Sequence, residues 1–568
     1  MPVTMPRIIA KAFRPGRTVS FEDALEIAVH THKSTTSHER WPYGSTAPID
    51  VTLREQCEWD DALFIRHFFP AMATEPFNPM HLDFFAERQR RHGSRGHRDA
   101  TASPRGSAKT SVKGKAAIIK DIVYRHERYV AICSANDDLA RDKVKDIRDE
   151  FETNAELIRV YGPMKTRDWR MNDFITANGC RCRGFTPRTK VRGFLWNNLR
   201  LTKVVMDDAE DPETCLTLLR RERFVQWYNN DVTKLGTADT NYEIIGTILH
   251  PESLLAQLLN NPGYQHRFYQ AVLHFADGPE AWGLWAQWRA ILCDLDNDHR
   301  LTDALSFFHA HEAAMLNGVQ VLWPERTSES YYALMLDRVI HGESAFWQER
   351  QNTPTRDSTY LFDGDAIARI TVEPDGIMRE DGRYVRWMDM RAVVAYWDPT
   401  PGATPGNHDI ALLSKRDFAA CPVLMQDRHG YSYCVDAYCE QTDDVDAQMD
   451  GIIDLCWRYQ VEKLGVESVA FQATLIKPLT EKFAAEAHRR GRQWAPMIVP
   501  IKQTKNKVLR IRTLQPPFMN HWLWLSEKLP QRAWHELGNF TVLAGKNNQD
   551  DFLDSLQGAM CMLAEQNV

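Results

Sequence analysis

The sequence predicts an α/β protein with two sheet domains in tandem. Three observations carry that prediction. Short apolar β-type runs alternate with amphipathic helical runs. A segment resembling a phosphate-binding loop, Ser103–Ser111, opens the first alternating series. The alternation restarts at Met390, after a Gly/Asp-rich stretch. The chain has 568 residues, enough for about two to four domains. At 43% hydrophobic and 26% charged residues, it is not a disordered chain.

The elements follow in order. Residues 1–55 are Pro- and Thr-rich with mixed charge and read as an arm. Glu55–Gln89 is aromatic-rich and partly helical, and Arg88–Arg98 is a basic loop with Gly93 and Gly96. Tyr129–Ser134, Leu201–Met206 and Glu243–Ile248 read as strands, and Asp137–Asn154 as a charged amphipathic helix. Ala281–Leu316 reads as a helical pair. Glu349–Thr355 carries the turn signals of a domain end, and Tyr360–Val385 reads as a short-stranded bridge. In the second half, Ala392–Trp397, Tyr431–Val435 and Val466–Phe471 read as strands. Helices are expected over Ala447–Leu464 and Leu475–Arg490. Asp294–Asp298 looks like the start of a calcium loop, but His299 and Leu305 stand where Gly and Glu are needed, so it reads as a turn between helices.

Composition narrows the function classes. No run of 18 apolar residues exists, so no transmembrane helix is expected. Met1–Arg17 is basic but lacks the apolar core of a secretory signal, and a cytoplasmic protein is expected. The 11 cysteines include no CxxC pair, and Cys180-Arg181-Cys182 is the only tight spacing, so buried reduced thiols are expected rather than a zinc site. The net charge of -7 does not by itself suggest a nucleic-acid partner. The basic residues are concentrated locally, at 88–98 and 502–512.

Phosphate chemistry is written first at Ser103–Ser111. Backbone amides curled at a helix start can hold phosphates, a lysine can reach the outer phosphates, and a hydroxyl can ligate Mg²⁺. Lys109 and Thr110 fit the last two roles, with Val112–Tyr124 as the following helix. Downstream, Leu201–Met206 delivers Asp207 and Asp208 at the end of an apolar run. The expected roles are Asp207 for Mg²⁺ and Asp208 for the attacking water, with Glu210 competing for the second. Gly246 and Thr247 end a third strand, where a small polar residue could sense the terminal phosphate.

A second set of acids lies in the C-terminal half. Asp398 closes one strand and Glu467 lies on another; Asp550, Asp551 and Asp554 open a helix, with Asp551 and Asp554 three residues apart on one face. Acids arriving from two strands and a helix suit a two-metal phosphodiesterase site built from hard oxygen ligands.

Several segments in order resemble the large terminase subunit of tailed bacteriophages, over about residues 60–565. They are PRGSAKTS at 104–111, the 129–157 segment, VRGFLW at 191–196, VVMDDAED at 204–211, IIGTILH at 244–250, MLNGVQVLWPE at 315–325 and FWQERQNTP at 346–354. AYWDPTPG at 395–402, GVESVAFQ at 465–472 and DDFLDSL at 550–556 continue the series.

The resemblance implies a P-loop ATPase domain over 56–355 with a helical lid at about 277–350. A linker at 356–390 and an RNase H-like nuclease domain over 391–568 would follow. It implies ATP with Mg²⁺, and Mn²⁺ as an alternative at the nuclease site. ATP would lie on Arg105, Gly106, Ser107, Ala108, Lys109, Thr110 and Ser111, with Arg105 acting on the phosphates. Gly246 and Thr247 match the coupling motif. Asp398, Glu467 and Asp551 match the nuclease triad, with Asp550 and Asp554 as near alternatives. The implied partners are double-stranded DNA, a small terminase subunit, a procapsid portal and further copies in a ring, expected to be pentameric. No membrane is implied, and the setting is the host cytoplasm.

Lys502, Lys505, Lys507, Arg510 and Arg512 are expected to contact DNA phosphates, and Arg88, Arg90, Arg91 and Arg95 are candidates for phosphate or neighbour contacts. Two departures from the family pattern stand out: Ala108 replaces the usual glycine, and Asp208 stands where many relatives have Glu. Rival readings are a helicase-like DNA-translocating ATPase with a structural C-terminal domain, a portal-docking module with a degenerate nucleotide site, and a transposase or integrase.

Overall fold

The computed structural model describes residues 51–565, apart from 188, 190, 192–193, 355–360, 365–366, 400–417, 443, 468–474 and 542–549. Most of the 1–55 arm lies outside the described residues, as do the end of the expected Val466–Phe471 strand and parts of the 191–196, 395–402 and 465–472 segments. The chain divides into two compact units. The first holds Met1–Arg98, Ala108–Asp207 and Lys234–Glu243; the second holds Asp99–Ser107, Asp208–Thr233 and Ile244–Val568.

Seven strands belong to the N-terminal half: β1 (Arg98–Ala102), β2 (Tyr129–Cys133), β3 (Asp173–Ile175), β4 (Arg181–Phe185), β5 (Leu201–Asp207), β6 (Gly236–Gly246) and β7 (Gln265–Phe268). In the first unit the order is β3-β4-β2-β5-β6. β2 pairs in parallel with both β4 and β5, and β3 is an antiparallel edge. Tyr129–Cys133 is buried on both faces, which is why it reads as a continuous apolar run rather than an alternation.

The helix Asp137–Thr153 starts where the Asn136 side chain accepts the Leu139 amide. It ends at Asn154, whose own side chain caps the next helix, Ala155–Tyr161. In the second unit the end of β6 is followed by β1 and β7, with β1 and β7 parallel. β6 starts well before the expected Glu243, because its early residues are exposed and polar and leave no apolar signature.

Two short strands, β8 (Val272–His274) and β9 (Gln320–Val321), flank the helices Gly278–Cys293 and Arg300–Met315. These two are the expected helical pair, joined by the turn at Asp294–Asp298. They pack through Trp285, Trp288, Phe308 and Met315 against the helix Tyr331–His341.

Nine strands form the second sheet: β10 (Arg369–Glu373), β11 (Gly376–Arg379), β12 (Tyr384–Arg386), β13 (Met390–Trp397), β14 (Ala419–Asp427), β15 (Ser432–Glu440), β16 (Lys463–Glu467), β17 (Met497–Ile501) and β18 (Leu523–Ser526). Their order is β12-β11-β10-β18-β15-β14-β13-β16-β17. The stretch read as a bridge therefore supplies three strands at one edge. At the other side, β13, β14 and β15 are successively antiparallel, and β16 and β17 add in parallel beside β13. In sequence order these five run 3-2-1-4-5, the RNase H-like arrangement.

Both faces of this sheet are covered. Phe552, Leu556, Ala559 and Leu563 of the helix Asp551–Glu565 pack with Val394, Tyr396, Ala420 and Leu424 on one face. Met449, Ile452 and Cys456 of the helix Val445–Tyr459 pack with Ala395, Trp397, Cys421 and Val423 on the other. Successive residues thus alternate between two buried faces. β14 is not signalled by the sequence pattern, because Pro422 interrupts its apolar run. The proline is tolerated beside a bulge at Val423/Leu424, where the ladder to β15 already skips Val435. The helix Val445–Tyr459 stops short of the expected Leu464, since Gln460 takes a left-handed conformation and β16 begins at Lys463.

Among the described residues no helix is long and apolar enough to cross a membrane. All 11 cysteines are free thiols, most of them buried.

Two candidate acidic sites

In the first unit the fully buried carboxylate of Asp207 ends β5. The Thr110 hydroxyl donates to its Oδ1 at 3.1 Å. Lys143, on the helix Asp137–Thr153, sits 2.7 Å from its Oδ2 and donates to the Asp207 carbonyl at 2.6 Å. The segment after Lys109 is a π-helical turn, Thr110–Ala116, that runs into the α-helix Ala117–Val123. A π-turn is a frequent mark of a functional helix start. Gly114 lies against the acid, and a Cβ there would come within 3.0 Å of Asp207 Oδ2.

This donor set fits a magnesium ion. Octahedral Mg²⁺ with bonds of about 2.1 Å places neighbouring oxygens about 3 Å apart, and the Thr110–Asp207 pair has that spacing. Lys109 is buried, with its backbone already helical. Ala108 before it has φ +60, so the residue in the usual glycine position adopts the conformation that favours glycine. Lys143 carries no role in the sequence reading. Its only signal is a lysine on a helix whose other face is charged and exposed.

In the second unit, Arg105–Ser107 is gripped from residues 326–350. The Glu349 carbonyl accepts the Arg105 amide, and the Glu349 carboxylate pairs with the exposed Arg105 guanidinium at 2.8 Å. Arg350 donates to the Arg105 carbonyl at 2.6 Å, and Arg326 to the Gly106 carbonyl at 3.2 Å. Gly106 has φ +86, and any Cβ would strike Glu329 and Arg350. Ser107 is buried, with its hydroxyl on the Pro104 carbonyl.

The same stretch also holds the segment after Gly246 and Thr247. Asn352 accepts the Ile248 amide, and Gln348 donates to the Leu249 carbonyl. Residues 348–352 therefore hold two motifs at once.

Asp208, also in the second unit, has φ +48, and its amide donates to the Ile245 carbonyl. A Cβ on Gly246 would lie 3.4 Å from its Oδ1. Glu210 is differently placed. Its two carboxylate oxygens accept the amides of Leu254 and Leu255 at the start of the helix Leu254–Leu259. Burial raises its pKa despite those amides. The structure gives Glu210 a helix-anchoring position and leaves Asp208 beside the glycine.

The second site lies at the carboxyl ends of two parallel strands of the second sheet. Trp397 of β13 is in register with Val466 of β16, so the next residues, Asp398 and Glu467, stand side by side. The first turn of the helix Asp551–Glu565 adds Asp554. Carboxylate oxygens of Asp398, Glu467 and Asp554 lie within 4.8 Å of one another, close enough to share a cation. Burial raises the Asp398 carboxyl well above its usual range, with Glu467 adding to the effect. Burial likewise pushes Asp554 up to about 6, against the opposing pull of Lys507 and Arg510. Crowded acids that hold protons in this way are a site a divalent cation relieves, and the donors are all hard oxygens.

Asp551 is engaged elsewhere. One oxygen accepts the Phe418 amide at 3.0 Å and the other pairs with Lys507 at 3.1 Å. Asp550 pairs with Lys507 at 2.7 Å. Glu536, which the sequence reading misses, is buried and accepts the amides of Phe552 and Leu553, fixing the start of the helix that carries Asp554. A Glu in the unremarkable helix Gln531–Asn539 gives no sequence signal.

The basic residues separate into two kinds. Arg510 is buried on Asp554 at 2.9 Å and Lys507 faces the acids, whereas Lys502 and Lys505 are exposed and Arg512 is partly buried. Arg88 bridges Asp61 and Asp121, Arg95 pairs with Glu127, and Arg90 and Arg91 pair with Glu87. The basic loop is thus largely occupied in internal ion pairs.

No protein-family model and no curated protein matches the chain. Solved structures resemble it at low identity. The large terminase from a thermophilic bacteriophage, in complex with ATP-gamma-S, is 10% identical with a TM-score of 0.45, covering 86% of this chain and 100% of that one. The human cytomegalovirus terminase nuclease domain, manganese-soaked and inhibitor-bound, is 11% identical with a TM-score of 0.23, covering 31% of this chain and 85% of that one. The nuclease domain of the large terminase subunit of bacterial virus Sf6 is 12% identical with a TM-score of 0.21, covering 30% of this chain and 87% of that one. Likenesses this distant leave the function to be read from the chain's own residues.

Proposed function

We propose that the chain is the large terminase subunit of a tailed phage, an ATPase that drives double-stranded DNA into a procapsid and a metal-dependent endonuclease that cuts concatemeric DNA. The observation that carries this reading is the presence, in one chain, of the Thr110–Asp207 pair following a phosphate-type loop in sequence and the Asp398/Glu467/Asp554 cluster on an RNase H-like sheet. A motor alone does not require the second cluster, and a nuclease alone does not require the first.

Each residue has a task in this reading. Lys109 and the amides of the Arg105–Ser111 loop hold the phosphates, and Arg105 reaches them from the exposed side of the loop. Thr110 and Asp207 hold Mg²⁺, which supplies charge neutralisation when bound. Asp208 orients the attacking water. Gly246 and Thr247 pass the change at Asp208 to residues 348–352 and so to the helical region at 277–350, which moves as a lid.

At the second site Asp398, Glu467 and Asp554 would hold divalent cations, Mg²⁺ or Mn²⁺, which when bound would supply water activation and charge stabilisation of the leaving oxygen. Lys507 holds Asp550 and Asp551 in place, and the exposed Lys502 and Lys505 meet DNA phosphates. An ATPase domain over 56–355, a nuclease domain that takes in the strands of 369–386 together with 391–568, the small-subunit and portal partners, a pentameric ring and a host-cytoplasmic setting belong to the same proposal.

The experiment is a reciprocal pair. Lys109→Ala abolishes ATP hydrolysis and leaves cleavage of circular DNA intact. Asp398→Asn abolishes metal-dependent cleavage and leaves ATP hydrolysis within about twofold. Full ATPase activity in Lys109→Ala, or full cleavage in Asp398→Asn, refutes the corresponding assignment.

One observation favours a second reading. Lys507 and Arg510 neutralise Asp550, Asp551 and Asp554 in the way a structural ion-pair cluster would. The chain would then be a helicase-like DNA-translocating ATPase with an inactive C-terminal domain. Wild-type protein that hydrolyses ATP but never nicks circular DNA with Mg²⁺ or Mn²⁺ would support it.

A further inference from the structure

Away from both acidic sites, the first unit brings Glu58, His92 and His126 together. One ligand atom from each lies within 4.8 Å of the other two. They come from three separate segments: the helix Val51–Trp59, the turn after the helix Pro79–Arg90, and the turn after the helix Ala117–Val123. His126 Nε2 and Glu58 Oε1 are 3.3 Å apart. That distance is also the edge of a tetrahedron whose centre lies about 2.0–2.1 Å from each corner, the bond length of zinc to imidazole and carboxylate.

The rings are held in place. His92 packs at 4.0 Å on Trp59, and His126 lies nearly parallel to Tyr124 at 5.5 Å. The two imidazoles meet edge-on at 5.0 Å rather than stacking face to face. His92 is exposed and the other two are partly buried, so a fourth position is open to water.

We propose that Glu58, His92 and His126 form a binding site for a borderline divalent cation of the zinc class, completed by solvent. Two imidazoles and one carboxylate select such an ion over Mg²⁺ or Ca²⁺, which take all-oxygen shells. The ion would tie the helix Val51–Trp59 to the far end of the helix that begins at the phosphate-type loop. It plays no part in the acid clusters and stands or falls independently of them.

The test uses full-length protein in an Asp398→Asn, Asp554→Asn background, so that the C-terminal carboxylates do not contribute. Zinc affinity is read by competition with a chromophoric zinc indicator. The parent is expected to bind one zinc per chain. His92→Ala, which removes an exposed side chain and leaves the fold intact, weakens that affinity by more than about tenfold, as does Glu58→Gln. His309→Ala, an exposed histidine on another helix, changes nothing. Zinc binding that is absent from the parent, or that is unchanged by both His92→Ala and Glu58→Gln, overturns the proposal. The contact is then a His126–Glu58 hydrogen bond and no more.

Discussion

The two acid sites solve opposite charge problems. At Asp207 a single buried carboxylate is already balanced, by the Lys143 ammonium at 2.7 Å and the Thr110 hydroxyl at 3.1 Å. At Asp398, Glu467 and Asp554 three carboxylates crowd together, and their nearest cations, Lys507 and Arg510, lie on the helix side against Asp550, Asp551 and Asp554. The first carries its own counter-charge within the fold. At the second, burial and neighbouring acids hold the Asp398 and Asp554 carboxyls above their usual range even with Lys507 and Arg510 at hand.

The contrast is broken most sharply at Asp554. Asp554→Asn removes a member of the crowded triad and is expected to lower metal-dependent cleavage by more than about 100-fold. Asp551→Asn, which keeps the Phe418 amide contact, costs about tenfold, the scale of a residue that positions a ligand. Equal losses in a plasmid-nicking assay would show that the triad is not limited to the three closest acids.

At the balanced site, Lys143→Met leaves the buried Asp207 uncompensated. A loss of about 3–5 kcal/mol in unfolding free energy is expected in denaturant titration without nucleotide, partly restored by Mg²⁺. An unaltered midpoint would mean that Asp207 is not balanced by Lys143.

A smaller effect concerns pH. Asp554 titrates at about 6 in the folded chain, above the ordinary aspartate value, so the folded state binds the extra proton. Metal-free stability contributed by this group is therefore present at low pH and is lost as pH rises from about 4 through 6. Cation binding displaces the proton, so the thermal shift given by Mn²⁺ should grow over the same interval. A shift that is flat from pH 5 to 7 would contradict the assignment.

The smallest effect is expected at Ala108. Its φ of +60 suits glycine, and Ala108→Gly should stabilise the protein by about 1 kcal/mol in thermal unfolding, with ATP hydrolysis retained. A destabilised variant would show that the alanine methyl packs favourably enough to outweigh the strain.

These sites were legible in the sequence to different depths. Asp207 and Asp398 end apolar strands, and that placement is readable from local pattern, whereas a role for either comes from the other motifs and the family resemblance. Which acid of the Asp550/Asp551/Asp554 group faces Asp398 depends on helix rotation and on the pull of Lys507, neither of which is written in spacing. Glu210 and Asp208 are two residues apart with the same chemistry, and the amides of Leu254 and Leu255, both on Glu210, distinguish their surroundings. Lys143, Glu536 and the 348–352 anchor act through contacts made across long stretches of chain, and ordinary helical residues carry them. In the fold, strands buried on both faces were readable as apolar runs. β14 was hidden by Pro422 and the early part of β6 by its polar, exposed residues.

The left-handed backbone at Asp208 has a consequence for which residue can stand there. Asp, Asn and Gly enter that region at low cost, whereas a longer acid gains no local hydrogen bond in exchange for the steric penalty. The position is filtered by conformation before it is filtered by reactivity. The aspartate at this position is thus tied to the bend at the end of β5.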